Sequence, residues 1–186
     1  MEKRFTVQIE GLRPLLMNRN PGAQPSADKP PRGKITQAII DKNKLQDWQR
    51  ASYYKDGQGW FIPTENIEKM LSEGAAKFRM GKDFTRSVTV EEDFVPLLIG
   101  DGGSYKPANK PQMSYYPAHA YTRPVGIQGA RIDRTRPQWP QWALAFTLLT
   151  DDSITLEQIQ KALTRNNLGD WRPRFGGFTL KEVKEL

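Results

Sequence analysis

At 186 residues, with 37% hydrophobic and 10% aromatic residues and a mean hydropathy of -0.69, the chain can form one modest core carrying long polar excursions. Cysteine is absent and His119 is the only histidine, which excludes disulfides and thiol chemistry and argues against a structural zinc site. The formal charge of +7, from 28 basic against 21 acidic residues, suits a polyanionic partner such as nucleic acid.

No run of about eighteen apolar residues supplies a membrane span. MEKRFTVQIEG passes into an alternating pattern without a signal-peptide apolar core, so the cytoplasm is the expected location. Phe5, Val7 and Ile9 alternate with Thr6, Gln8 and Glu10 and predict a half-buried strand that Gly11 ends. Residues 18–34 read as a long loop, and between Arg13 and Lys34 there are five basic residues against one acid, Asp28. Apolar spacing at Ile35, Ile39, Leu45, Trp48 and Ala51 fits one helix or two short ones, and GWFIP reads as a short strand.

PTENIEKMLSEGAAKF predicts a helix over 64–78, with Thr64 as N-cap and Glu65 at the positive helix end. Ile67, Met70, Leu71, Ala75 and Phe78 share its apolar stripe, and so does Gly74. A glycine inside a helix costs about 1 kcal/mol against alanine, so something is expected to pack closely over it. RMGKDFTR reads as a basic turn and SVTVEEDFVPLLI as interrupted strand. Residues 100–128 form a second irregular stretch holding four of the six tyrosines, Tyr105, Tyr115, Tyr116 and Tyr121, as a loop or extended β-ribbon.

Residues 125–136 predict a strand or ribbon. WALAFTLL predicts a well-packed sheet strand, and TLEQIQKAL a helix opened by a capping box of Thr155 with Gln158. FTLKEVKEL closes the chain as a strand. The predicted fold class is therefore α+β: one ferredoxin-like or RRM-like domain over 1–186, an antiparallel sheet with helices on one face and insertions at about 18–34 and 100–128.

Catalytic signals are weak. His119 could pair with Tyr115, Tyr116 or Lys106 in a metal-independent ribonuclease. The adjacent acids Glu91, Glu92 and Asp93, and Asp151 with Asp152, read as turns rather than as metal ligands. No nucleotide- or dinucleotide-binding fingerprint is present. No catalytic residue, metal or cofactor is expected.

Binding has more support. Arg123, Arg131, Arg134 and Arg136 fall within residues 123–136, where Asp133 is the one acid. In an extended RIDRTR, Arg134 and Arg136 share a face with Ile132, and Trp139 lies nearby for stacking. GDWRPRFGGF, residues 169–178, places Trp171 and Phe175 among Arg172 and Arg174. Pro173 is expected to hold Arg172 extended, presenting a stiff basic surface. In a second reading, Trp171 and Phe175 plug the fold while the arginines bind carboxylates of their own subunit, and Asp170 pairs with a nearby arginine. Six arginines, with Tyr121, Trp139 and Trp171 as stacking rings, would give a salt slope of about −4 on a single strand.

IEGLRPLLMN, GWFIPTENIEKML, AAKF with a following GK, VEEDFVPLL, GARIDRTRP and GDWRPRFGGF run in order through most of the chain. On these segments the chain resembles a family of phage and prophage proteins that is similar in general layout to the Cas7-like (RAMP, RRM-fold) backbone subunits of CRISPR effectors. The resemblance implies binding of single-stranded RNA or DNA by repeated copies, with residues 100–128 and 18–34 as projections. This chain is short beside such subunits. Asp28 has no motif that matches the catalytic aspartate of RNA-cleaving members. An alternative is a phage or defence-related structural protein acting through protein–protein contacts.

Overall fold

The computed structural model describes residues 2–19, 36–100, 104–127 and 130–186. The first half comprises β1 (Lys3–Gly11), β2 (Leu15–Leu16), α1 (Gln37–Arg50), β3 (Tyr54–Lys55), β4 (Gly59–Pro63), α2 (Thr64–Ala76) and α3 (Gly81–Ser87). It continues through β5 (Val88–Val90), β6 (Phe94–Pro96), β7 (Leu98–Gly100) and β8 (Tyr105–Pro107) to a 3-10 turn (Gln112–Tyr115). The last third is β9 (Ala120–Ile127), β10 (Ala130–Trp139), β11 (Trp142–Thr150), α4 (Leu156–Leu163) and β12 (Phe178–Glu185). The described residues form an α+β structure with three antiparallel sheets. Most of the loop read at 18–34, including Asp28, lies outside the described residues, as do 101–103 and 128 of the second insertion. Among the described residues no helix is long and apolar enough to cross a membrane.

The main sheet is organised by β1, whose alternation buries Phe5, Val7 and Ile9 on one face. It pairs antiparallel with β11 on one side and with β12 on the other. Two strands share the far edge of β11: β5 pairs with its end and β7, backed by β8, with its start. Between them the Glu92 carboxylate accepts the Thr147 N–H at 2.9 Å, so the uncovered edge does not leave that donor bare. The acidic turn thus has a defined structural use. β12 forms the other edge and carries Lys181, Glu182, Lys184 and Glu185.

Helices α2 and α4 cover the dry face with Ile67, Met70, Leu71, Ala75, Ile159, Ala162 and Leu163. Gly74 lies where the two helices meet. A Cβ there would fall far inside van der Waals contact of the Ala162 carbonyl oxygen and 2.5 Å from Asn166 Nδ2. That amide donates to the carbonyls of Met70 (2.6 Å) and Ala162 (3.0 Å), tying the helices together. The Thr155–Gln158 capping box forms in both directions. Thr64 does not cap α2: it is already helical, Pro63 is the N-cap, and the Thr64 hydroxyl donates to the Glu92 carbonyl at 2.7 Å. The helix ends at Ala76, which leaves Phe78 exposed outside the stripe, and RMGKDFTR supplies a short helix, α3, in place of a turn.

The opposite face of the main sheet carries no ring on its two central strands, with Thr6, Gln8 and Glu10 on β1 and Ala143, Ala145, Thr147 and Leu149 on β11. Glu10 accepts from Lys181 Nζ at 2.9 Å and from the Tyr105 hydroxyl at 3.0 Å. These donors hold its carboxyl below the ordinary value of 4.5. A depressed folded-state value means that the stabilisation is complete above about pH 4.5 and is lost as pH falls through the lower folded value. The melting-temperature advantage of the wild type over Glu10→Gln is expected at neutral pH and to shrink below about pH 4.5. A constant difference down to about pH 3 would contradict the assignment.

A second core of rings joins α1, β4 and the β9–β10 ribbon, which β2 extends along the end of β10. Trp60 meets Trp48 and Trp139 edge-on at centroid distances of 5.3 and 4.9 Å. Trp48 Nε1 donates to the His119 carbonyl at 2.8 Å. Tyr115 and Tyr116 complete the cluster.

Candidate functional site

The segment between α4 and β12 is a closed loop. Leu168 N donates to Gly176 O at 2.9 Å, and Asn167 bridges Gly177, pinching its neck. Gly176, at φ 71°, permits the closure, since a Cβ there would collide with the Leu168 carbonyl. The loop docks on the chain after β1: Gly176 N donates to Pro14 O, Asp170 N to Leu16 O, and the Arg13 guanidinium to Pro173 O. WRPRF is not extended. It curls into a turn in which Phe175 N donates to Trp171 O at 3.4 Å, because the pinched neck forces the chain back on itself.

The ribbon brings a second group of residues to this loop. Its register sets Arg134 opposite Arg123 and Arg136 opposite Tyr121. Arg136 pairs with Asp170, and its guanidinium lies 4.2 Å from the Trp171 ring centroid. Arg123 lies over the same ring at 5.1 Å. Each such cation–π contact is worth about 0.5–2 kcal/mol, more where water is excluded. Tyr121 meets Trp171 at 5.9 Å and Phe175 at 5.4 Å, both edge-on. Burial, with Arg134 close by, pushes the Arg136 guanidinium below its ordinary value, and Asp47 acts in the opposite direction. Segments separated by dozens of residues therefore form one cluster of rings and guanidinium groups.

The predicted binding residues divide into three sets. Arg134, Arg136 and Arg172 are held by carboxylates of the same chain: Asp47 on α1 at 3.1 Å, Asp170, and Glu73 on α2. Arg123, Arg131 and Arg174 are exposed and have no carboxylate partner among the described residues. Arg131 is separated from the rest by strand alternation, which puts it on the ribbon face opposite Arg134 and Arg136. Trp139 is a correction. It is 0% exposed inside the second ring core and offers no face to a base. Trp48, Trp60 and Trp142 are buried as completely, so Trp171, half-buried, is the tryptophan left for stacking. Phe175 is buried beneath it.

His119 is engaged structurally. Its ring stacks on Trp139 at 4.4 Å and its Nδ1 lies 3.0 Å from the Gln138 carbonyl, which fixes Nδ1 as the protonated nitrogen. Tyr115 meets it edge-on while its hydroxyl accepts from Lys110 N. Among the described residues no cluster of three or more histidine and acidic side chains is arranged to hold a metal ion.

Sequence reasoning missed Asp47 and Glu73, whose distance along the chain from Arg134 and Arg172 leaves no local signal. It also missed a cleft of about 150 Å³ on the other side of the loop, lined by residues of β2, α2 and the loop. No protein-family model matches the chain, and no curated protein matches it.

Proposed function

We propose that this protein binds single-stranded nucleic acid, RNA or DNA, without catalysing a reaction, through the ribbon and loop that surround Trp171. The reading takes β1-α2-β5-β11-α4-β12 as a ferredoxin-like, RRM-like βαββαβ core with the spatial strand order fourth, first, third, second. It further takes the protein to act in the cytoplasm and to line up in multiple copies along the strand, as the resemblance to Cas7-like phage-type proteins implies.

The observation that carries the reading is the convergence of Arg123, Arg136 and Tyr121 on the half-buried ring of Trp171. Guanidinium groups beside an accessible ring supply the two elements of sequence-tolerant strand binding, phosphate attraction and base stacking. The ring-free face of the central strands argues for this location over the sheet itself, because RRM modules stack bases on sheet aromatics, whereas β1 and β11 offer Thr6, Gln8, Glu10, Ala145 and Thr147 there.

Internal pairing of three arginines, with Arg131 on the opposite ribbon face, lowers the expected number of phosphate contacts from six to two, and the salt slope to about −1.4. Fluorescence anisotropy with short single-stranded RNA and DNA at two salt concentrations measures it. Absent binding, or binding indifferent to salt, would reject the proposal.

A further inference from the structure

The loop that presents Trp171 on one side forms a wall of the cleft on the other, through Gly169, Asp170 and Arg172. We propose that this cleft receives a single pyrimidine base of the bound strand; the inference rests on the binding function proposed above.

Size comes first. A cavity of about 150 Å³ holds one benzene-sized ring, which is the size of a pyrimidine. The chemistry of the walls fits a heteroaromatic ring as well. Leu16, Ile62, Met70 and Leu168 provide an apolar floor for its faces. At the rim stand Asn18 and Asn66, whose side-chain amides have no hydrogen-bond partner among the described residues. An amide offers both a donor and an acceptor, the combination found along the edge of a pyrimidine. Lys69 adds positive charge at the mouth, where the phosphate following an inserted base would lie.

Position completes the case. Trp171 stands in the chain between Asp170 and Arg172, the two loop residues that line the cleft, so the segment that offers the ring also forms part of the cleft wall. A plain phosphate track would not discriminate among bases, whereas a strand with one base inserted here would.

The test compares oligouridylate, oligoadenylate and an oligouridylate bearing abasic positions, all of one length, by anisotropy. Wild type is expected to bind oligouridylate at least about tenfold more tightly than the other two, the range in which single-base contacts discriminate. Asn66→Phe, which fills the cleft from α2, should remove that preference while leaving the salt slope and the oligoadenylate affinity unchanged. Asn18→Phe fills it from an exposed position on the opposite wall and gives the same readout should the first variant melt early. Equal affinity for all three probes in the wild type, with the salt slope intact, would overturn the cleft assignment alone. Preference surviving in a folded cleft-filled variant would do the same. Failure to bind any probe would instead overturn the binding function itself.

Discussion

Replacing Arg123, Arg131 and Arg174 together by alanine should flatten the salt dependence of binding, from a slope of about −1.4 to near zero. A hydrogen bond to a charged group contributes about 1.5–3 kcal/mol, so losing the two contacts from Arg123 and Arg174 should weaken binding by roughly 100-fold or more at low salt. The variant should stay folded, because these side chains are exposed and have no carboxylate partner among the described residues. The matched triple at Arg134, Arg136 and Arg172 should behave differently. It frees Asp47, Asp170 and Glu73, and the half-buried Asp170 is left without its cation. Circular dichroism melts alongside anisotropy separate the two. A first triple that keeps the wild-type slope would show that strand binding does not run through these arginines.

Gly74→Ala is expected to lower stability by about 3 kcal/mol, although alanine favours a helix over glycine by about 1 kcal/mol. The added methyl cannot coexist with the Ala162 carbonyl, and the Asn166 side chain that binds both helices lies 2.5 Å from it. Either α4 moves away from α2 or the Asn166 bridge breaks. For a chain of this size that loss corresponds to a drop of about 10 °C in melting temperature. Gly126→Ala is the control, since nothing lies within 4 Å of a Cβ there and its melt should stay close to wild type. A Gly74→Ala melt equal to or above wild type would mean that the helices do not pack as described.

What was readable from the sequence follows from how local each cause is. β1, β11 and the α4 capping box follow from alternation and cap chemistry within a few residues, and the structure contains them. The Gly74 contact was readable as well, because a helix-weakening residue on an apolar stripe implies a close neighbour. Thr64 misleads because its hydroxyl has a distant partner, the Glu92 carbonyl, that competes with capping. Trp139 misleads for the same kind of reason. Its neighbours in sequence are arginines and prolines, but its partners, Trp60 and Tyr115, come from β4 and the 3-10 turn. At the candidate site, composition pointed to the ribbon and the terminal loop, and these do meet. Which guanidinium groups remain available depended on carboxylates of α1 and α2, and no spacing rule reaches that far.

The outermost strand, β12, alternates lysine and glutamate near the end of the chain. Two such borders brought side by side would set ammonium and carboxylate groups against unsatisfied amides, a deterrent to uncontrolled sheet extension. On the proposed reading, copies that share one strand would therefore meet through loops and side chains rather than by fusing their sheets, and could be added or removed without unzipping a ladder.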